Sequence, residues 1–254
     1  VNINSFWIST VPRTGSMWLY NITREILKLS KLNVLPTIVP QSDQVSYELY
    51  KKQALSDQNN LNMFVFKIHS ILKPNLPRSK ILTTIRDPRD ICISFKEFMR
   101  TDFNTSLNAT KTLLKYEKTY KTYDKDYLKF FRYEEFESRT TETILNIAEF
   151  IGHQISLENA EEISLKYSKN KIKKLTKTND ENLLSKISKK EIIDRSKIVY
   201  ISKENYRSFD TKTGFQTNHV SNRNSGDWKK IFSQKEIDII NNEFKDFLNQ
   251  YKYN

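Results

Sequence analysis

The apolar positions of the chain change period several times, and each change predicts a boundary between a strand and a helix. Residues 3–9 are typical of a buried strand, and from Ser16 the apolar residues recur at steps of three and four, as in an amphipathic helix. A short strand is predicted over residues 34–39, weakened by Pro36, and residues 42–58 fit a polar helix or an ordered loop.

The middle of the chain predicts further strands and a well-marked helix start. Residues 63–69 and 80–86 alternate between two faces, as strands of a sheet do, and residues 127–133 are another strand candidate. A helix is predicted to begin at Asp87, a good N-cap, because Pro88 suits the first helical position.

The last hundred residues are mainly helical in pattern. A helix is predicted over residues 141–151, stopped by Gly152, and residues 157–195 are helical, polar and rich in lysine. Residues 196–226 lack a period and carry loop signals, and residues 233–236 form a capping box that opens a final amphipathic helix. Strands that alternate with helices predict an α/β fold, with a central parallel sheet flanked by helices.

Length and composition limit the class of protein. The 254 residues predict one domain, residues 1–254, and 37% hydrophobic with 28% charged residues is a folded, soluble balance. No apolar run approaches the roughly 18 residues of a membrane span. The N-terminal segment lacks the pattern of a secretory signal, and the single cysteine, Cys92, excludes an internal disulfide. A reducing, cytoplasmic location is therefore expected.

The charge of the chain favours an anionic partner. Lys and Arg number 42 against 30 Asp and Glu, so the formal net charge is +12. Such an excess fits nucleic acid, an acidic membrane or a phosphorylated small molecule. Frequent Lys, Asn and Ile also fit the codon bias of an AT-rich genome, so charge alone does not decide between these explanations.

The first motif is VPRTGSMW at residues 11–18, between a predicted strand and a predicted helix. Backbone amides at such a turn bind anions, Gly15 allows close approach, and Arg13 can hold two oxygens of a phosphate. The motif is not the usual ATP-binding loop, because Thr10 stands in place of the first glycine and Ser16 in place of the lysine. An ordinary strand–helix turn is the alternative interpretation.

The second motif is KIH, at the end of the strand over residues 63–69. Lys67 and His69 leave the same face, at the sheet edge where ligands bind in open α/β sheets. A histidine there can accept a proton from a hydroxyl, and an ammonium group can neutralise developing charge. The alternative is a surface histidine beside a solvated lysine.

The third motif is IRDPRDICIS at residues 85–94, and the fourth is NRNSGDWKKIF at residues 222–232. Arg86 and Ser94 could share one phosphate, or the arginine could instead pair with the carboxylates of its own helix cap. In the fourth motif, a basic loop could wrap a phosphate, or Trp228 could simply dock onto the core.

The order and spacing of these motifs, with RYEE at residues 132–135, resemble the cytosolic-type sulfotransferase family from about Phe6 to Phe232. The resemblance implies a three-layer, P-loop-like fold. It also implies transfer of a sulfuryl group from 3′-phosphoadenosine 5′-phosphosulfate (PAPS) to a hydroxyl or amine, without a metal. A small-molecule or carbohydrate acceptor is expected, chosen by the loops at residues 40–60, 101–108 and 196–222.

The resemblance also assigns roles to individual residues. His69 is the implied catalytic base, with Lys67 and Arg13 offsetting charge during transfer. Adenosine 3′,5′-bisphosphate (PAP) would be the product. The residues implied to bind the donor are Arg13, Thr14, Gly15, Ser16, Met17 and Trp18 at the phosphosulfate, Arg86, Ser94 and Arg223 at the 3′-phosphate, Tyr133 and Trp18 at adenine, and Asn224 as a further contact.

Two loop residues and one C-terminal segment depart from the family pattern. Arg13 replaces a lysine, which keeps the charge but is a poor proton donor. Met17 replaces a threonine and removes a hydroxyl. The Arg-Lys-Gly of the C-terminal pattern falls on Ser221, Asn222 and Arg223, so the basic residue has moved.

Other functions remain open at the level of the sequence. A phosphate-binding kinase or NTPase is one, although the loop lysine is misplaced and no convincing acidic strand for Mg²⁺ is seen. A nucleic-acid-binding module is another, but the basic run at residues 166–190 has no aromatic-rich stacking pattern and fits a solvated helix. A relative that binds the donor without catalysis is the third.

Overall fold

A five-stranded parallel sheet forms the centre of the computed structural model, which describes residues 2–59, 61–202, 205–217, 219–221 and 223–253. All neighbouring strands pair in parallel, in the order β2-β3-β1-β4-β5. The strands are β1 (Ser5–Ser9), β2 (Asn33–Leu35), β3 (Asn62–Ile68), β4 (Ser79–Ile85) and β5 (Leu128–Arg132). The predicted α/β class is confirmed.

Helices cover both faces of this sheet. They are α1 (Ser16–Lys28), α2 (Asp43–Leu49), α3 (Pro88–Met99), α4 (Phe103–Tyr120), α5 (Glu135–Ser138), α6 (Thr140–Ile151), α7 (Leu157–Lys166), α8 (Lys169–Ser188), α9 (Gln234–Glu243) and α10 (Lys245–Gln250). A short antiparallel hairpin, β6 (Ile198–Ser202) with β7 (Asn205–Ser208), lies outside the central sheet. No helix in the described part of the chain is long and apolar enough to cross a membrane.

The sheet separates two hydrophobic clusters. Phe6 and Val65 belong to the cluster that contains α1 and α6, whereas Trp7 and Phe66 belong to the cluster that contains α3 and α4. Adjacent strand residues therefore enter opposite layers, as the period of a strand requires. The alternation predicted for residues 63–69 is confirmed, and it directs Lys67 to the same side as Val65.

Predicted helix ends are confirmed where a polar or glycine signal marks them. Asp87 accepts a hydrogen bond from the Arg89 amide (2.9 Å) at the start of α3. Gly152 ends α6 in the left-handed conformation. Ser233 and Glu236 form both halves of the capping box. The final helix is nevertheless divided at Phe244 into α9 and α10.

Three predicted segments differ in the structure. The strand expected over residues 34–39 ends at Leu35, before Pro36, which lacks the amide that a strand needs. The polar helix of residues 157–195 is two helices that end at Ser188. The segment 196–226, expected to be loop, contains the hairpin β6–β7.

Helix α4 was not predicted, and residues 101–108 were expected to be an acceptor-selecting loop. Asp102 caps this helix by accepting from the Thr105 amide (2.8 Å). The buried row, Leu107, Thr110 and Leu113, has helical spacing, but Thr110 interrupts its apolar pattern. The prediction for 101–108 is therefore wrong, since α4 packs on α3 and lines neither of the two cavities described below.

Candidate functional site

The topology brings three of the sequence motifs to one edge of the sheet. The turn that begins at Val11 follows β1, His69 follows β3, and Arg86 follows β4. β1 lies between β3 and β4, and all three strands run in the same direction. The carboxyl ends of these strands therefore place the three motifs side by side, where open α/β sheets bind ligands.

The turn between β1 and α1 has an unusual backbone. Arg13 and Gly15 both have positive φ values, of 71° and 89°. A Cβ atom at position 15 would lie 2.9 Å from side-chain atoms of Tyr133 and Phe136. Glycine is therefore required at this position for its conformation and for the close packing of two aromatic rings.

Thr14 has a structural role within this turn. Its buried hydroxyl donates to the Val11 carbonyl (2.7 Å) and accepts from the Thr84 hydroxyl (2.6 Å). It does not line either cavity of the site, unlike the other side chains that the resemblance assigns to the donor. The Thr14 side chain holds the turn against β4.

A cavity of about 440 Å³, called here the Arg86 cavity, opens over the carboxyl ends of β1 and β4. Its size is within the range of small-molecule sites, roughly 300–1,000 Å³. It collects side chains from distant parts of the chain. Among its lining residues are Arg13, Gly15, Ser16, Met17, Trp18, Arg86, Ser94, Tyr133, Arg223 and Asn224.

Arg86 is available to a ligand in this cavity because the nearest cap carboxylate is occupied. Asp87 is bound by the guanidinium of Arg89 at 2.9 and 2.8 Å. Arg86 donates to the Arg13 carbonyl (2.8 Å) and lies 3.7 Å above the Tyr133 ring, while its buried Nε has no partner in the described structure. The cap pairing considered as the alternative for Arg86 is thus made by Arg89.

Arg13 and Ser94 contact each other across the mouth of the Arg86 cavity. Arg13 Nε donates to the Ser94 hydroxyl (3.0 Å), and the guanidinium lies 4.0 Å from the centre of the Phe98 ring. Burial, and then the charge of Arg86, lowers the pKa of Arg13 to about 9. Ser94 and Arg86 line the same cavity, and in the structure without a ligand the Ser94 hydroxyl is held by Arg13.

Arg223 reaches the same cavity from the C-terminal loop. It is ion-paired with Glu97, and its buried Nη1 has no partner among the described residues. Its amide donates to Ser221 Oγ (3.1 Å). Asn222, one of the positions of the family pattern, lies outside the described residues. Trp228, from the same motif, is buried against Arg89.

Aromatic rings and two carboxylates complete the walls. Trp18 stacks on Phe136 with ring centres 4.4 Å apart. The carboxylate of Asp90 accepts from the Gly226 amide (2.9 Å), and burial raises its pKa to about 6. Glu137 is ion-paired with Lys169 (2.5 Å). Both carboxylates are thus engaged by groups of the chain itself.

A second cavity, called here the His69 cavity, has a volume of about 510 Å³ and is lined by Lys67 and His69. Arg13, Ser16 and Met17 line both cavities, so the two spaces meet at the β1–α1 turn. A group held at the turn in one cavity is accordingly adjacent to a molecule in the other.

The protonation of His69 is fixed by its neighbours. Its Nδ1 lies 2.8 Å from the Thr10 carbonyl oxygen, which can only accept, so Nδ1 carries the proton. The side chain is exposed to the cavity. Desolvation by the surrounding protein, and then the charge of Lys67, lower the pKa of His69 to about 4. His69 is therefore neutral near pH 7, with the lone pair on Nε2.

Lys67 lies in a half-buried position beside His69. Burial lowers the pKa of its ammonium group to about 8, and the carboxylate of Asp43 acts in the opposite direction. Asp43 accepts from the His69 amide through both oxygens, at 3.0 and 3.2 Å. This contact fixes the end of β3 to the start of α2.

Two residues of the site were not found by sequence reasoning. Asp43 lies in a segment whose structure was left open. His219 lines both cavities, and its buried Nδ1 has no partner in the described structure. Its carbonyl accepts from Arg13 (3.3 Å), and burial holds its pKa well below the ordinary value. No sequence signal marks a lone histidine in a loop.

A family model described as the sulfotransferase domain matches residues 4–252. The chain belongs to the sulfotransferase family. No curated protein sequence matches it. Among the described residues of this sulfotransferase, no group of three or more His, Cys, Asp or Glu side chains is placed to hold a metal ion.

Solved structures of sulfotransferase-like proteins share the fold. Retinol dehydratase in a complex with retinol and PAP superposes with a TM-score of 0.63 at 16% identity, over 98% of this chain and 82% of that chain. Retinol dehydratase in complex with androsterone and inactive cofactor PAP superposes with a TM-score of 0.60 at 15% identity, over 98% of this chain and 81% of that chain. Mouse sulfotransferase SULT7A1 complexed with PAP superposes with a TM-score of 0.61 at 13% identity, over 97% of this chain and 85% of that chain. The three-layer, P-loop-like architecture is therefore that of the family.

Proposed function

We propose that this sulfotransferase transfers a sulfuryl group from PAPS to the hydroxyl or amine of an acceptor, within a single domain of residues 1–254. The observation that carries the proposal is the meeting of two cavities at the Arg13 turn. One contains unpaired arginine nitrogens, and the other contains a neutral histidine. The relatives with the same fold were crystallised with PAP.

The Arg86 cavity fits a nucleotide with two anionic ends. Buried nitrogens of Arg86 and Arg223 lack partners in the described structure, and an unpaired buried donor is costly unless a ligand satisfies it. The amides at the N-terminus of α1 follow Gly15 and form an anion site at the other end. We therefore assign the 3′-phosphate to Arg86 and Arg223, and the phosphosulfate to residues 13–18.

Aromatic rings in the same cavity support binding of adenine. Trp18, Tyr133 and Phe136 all line it, and Trp18 already stacks on Phe136. Tyr133 is fixed from both sides, since its ring faces Arg86 and its hydroxyl donates to Glu137 (3.2 Å). A planar base can stack against such rings.

His69 accepts the proton of the acceptor in this proposal. Its Nδ1–H is held by Thr10, so Nε2 is free to take a proton from a hydroxyl in the His69 cavity. The acceptor oxygen forms a bond to sulfur, and the bond from sulfur to the oxygen of the 5′-phosphate breaks. The proton passes to Nε2, and the products are a sulfate ester and PAP.

Lys67 and Arg13 stabilise the charge that develops on the departing oxygen. Both line the His69 cavity, and neither is paired with a carboxylate within the described ranges. Fixed cations near the transferring group lower the barrier electrostatically, as in phosphoryl transfer. Arg13 replaces the lysine of the family pattern and supplies charge without donating a proton.

The test combines donor binding with transfer. Calorimetry should show PAP binding without a metal, and labelled sulfate should pass from PAPS to members of a panel of alcohols, phenols and amines. Binding of PAP without any transfer would identify a relative that has lost catalysis. Binding of ATP–Mg²⁺ but not PAP would instead indicate a kinase or NTPase.

A further inference from the structure

The His69 cavity has more positive charge than sulfuryl transfer requires. Three cationic side chains line it, Arg13, Lys67 and Arg195, and its described lining contains no Asp or Glu. In the proposed function, Arg13 and Lys67 face the transferring sulfuryl group. The proposed reaction assigns no role to Arg195.

The guanidinium of Arg195 is not held by the carboxylate beside it in the sequence. Arg195 is exposed and begins a single helical turn at residues 195–197. The adjacent carboxylate, Asp194, is engaged by Ser196, whose amide and hydroxyl lie 3.0 and 2.7 Å from Oδ1. No ion pair or hydrogen bond of the Arg195 side chain is found in the described part of the chain. Its guanidinium is therefore available to a ligand.

The position of Arg195 belongs to the wall of the cavity rather than to open surface. The Ser196 carbonyl accepts a hydrogen bond from Gln41 Nε2 (3.4 Å), which joins this turn to the loop before α2. Gln41 and Arg195 both line the cavity. The two segments thus form one rim of the cavity.

The walls near this rim are mainly apolar. Val39, Pro40, Ile198, Val199 and Phe209 line the cavity together with Met17. Such walls bind a hydrocarbon or aromatic body and contribute little to an extensively hydroxylated molecule. The cavity therefore offers a histidine, an apolar wall and a free guanidinium to one ligand.

We propose that the acceptor is an organic anion: a hydroxyl-bearing molecule with an apolar body and a carboxylate or similar acidic group that Arg195 binds. This inference rests on the proposed function, since it takes His69 as the group that receives the hydroxyl. It selects one class from the broader set of small molecules and carbohydrates, because the unpaired guanidinium and apolar walls fit an amphipathic anion.

A matched pair of acceptors tests the inference. We use para-hydroxyphenylpropionate and its methyl ester, which present the same phenol and differ in charge. The wild-type kcat/KM should be about tenfold or more higher for the carboxylate, the scale of a hydrogen bond to a charged group at a partly solvated site. Added salt should reduce this preference, because it screens exposed charges.

Arg195→Gln should remove the preference by lowering kcat/KM for the carboxylate and leaving the ester unchanged. Lys197→Gln is the matched control, because Lys197 is an exposed cation of the same turn and does not line the cavity. This control should keep the preference for the carboxylate.

A binding measurement separates failure of this inference from failure of the proposed function. The carboxylate and the ester are titrated into protein that is saturated with PAP, so no turnover is needed. Equal dissociation constants for the carboxylate and the ester would contradict the anionic acceptor. An equal loss of affinity for both compounds in Arg195→Gln would contradict it as well. Neither result would contradict the proposed reaction. An absence of PAP binding would contradict the proposed function itself.

Discussion

His69 shows how the immediate partners of a side chain set its tautomer and its protonation. The Thr10 carbonyl selects the tautomer, Lys67 disfavours the protonated ring, and Asp43 holds the backbone amide. A free histidine would be partly charged near its ordinary pKa of 6.5, whereas this ring is neutral. Desolvation and then Lys67 lower the pKa of the ring, and the hydrogen bond to Thr10 leaves the lone pair on Nε2.

We expect His69→Ala to lower kcat by ~10²–10⁴-fold, the usual contribution of a general base. The dissociation constant of PAP should stay nearly unchanged, since His69 does not line the Arg86 cavity. His153→Ala is the control, because His153 lines neither cavity and should keep wild-type turnover. Turnover of His69→Ala within a few-fold of wild type would mean that another group is the base.

The pH profile gives a second measure of the same residue. His69 has to be neutral to accept a proton, and its pKa is lowered from 6.5 to about 4. Activity should therefore be retained as the pH falls through 6.5 and decline only toward about 4. An acid limb near 6.5 in kcat/KM would show that the ring is not held neutral in this way.

The site residues that could be predicted are those with a local signal. Arg13, Lys67, His69 and Arg86 all lie at or after strand ends, and strand ends can be located from hydrophobic alternation. His219 could not be found, because its loop has no period and its burial involves packing against Phe98, which is far away in the sequence, as well as against Phe215. The contact of Ser94 with Arg13 likewise depends on tertiary structure.

At the level of secondary-structure elements, helix ends with strong capping signals could be predicted, whereas a helix with weak hydrophobic periodicity could not. Asp87, Gly152 and the Ser233 capping box each mark a helix end through a local hydrogen bond or backbone conformation. Helix α4 was missed because its buried face includes Thr110 as well as Leu107. Local propensity identifies an end of a helix, whereas burial of a mixed face is decided by the neighbouring helix.

The start of α1 can be tested with a pair of glycine substitutions. Gly15 and Gly152 both have positive φ, but a Cβ at position 15 would meet Tyr133 and Phe136, whereas a Cβ at position 152 would meet nothing within 4 Å. Gly152→Ala should cost ~1–2 kcal/mol, the penalty of the left-handed conformation. Gly15→Ala should cost at least about 1 kcal/mol more, because the rings have to move.

Denaturant unfolding measures the free energies of both variants, and calorimetry measures PAP binding. Gly15→Ala should also weaken PAP binding, since Tyr133 and Phe136 line the Arg86 cavity. Gly152→Ala should leave binding unchanged. Equal destabilisation of the two variants with unchanged PAP affinity would contradict the steric role assigned to Gly15.

At the scale of the whole molecule, the sheet edge connects segments that are far apart in the sequence. The Arg86 cavity draws on β1–α1, α3, α8 and the loop that contains Arg223, so a ligand there contacts all of them. Binding to the folded chain alone raises its stability by about 2.7 kcal/mol when the ligand is at a hundred times its dissociation constant. We therefore expect a ligand bound in this cavity to oppose global unfolding.

Arg86 and Arg89 lie in one motif, and their variants separate the effect of PAP binding on Tm from the stability of the free protein. For a chain of this size, saturating PAP should raise Tm by about 5–11 °C. Arg86→Ala should leave the Tm of the free protein nearly unchanged and remove most of the PAP shift, because the cavity loses a charge-assisted contact of ~2 kcal/mol.

Arg89→Ala should lower the Tm of the free protein and leave the PAP shift in place, since Arg89 is 4% exposed and holds the buried Asp87 carboxylate. Breaking that pair should cost ~3–5 kcal/mol and lower Tm without PAP, while the molecules that remain folded keep their response to PAP. A full PAP shift in Arg86→Ala would place the 3′-phosphate elsewhere.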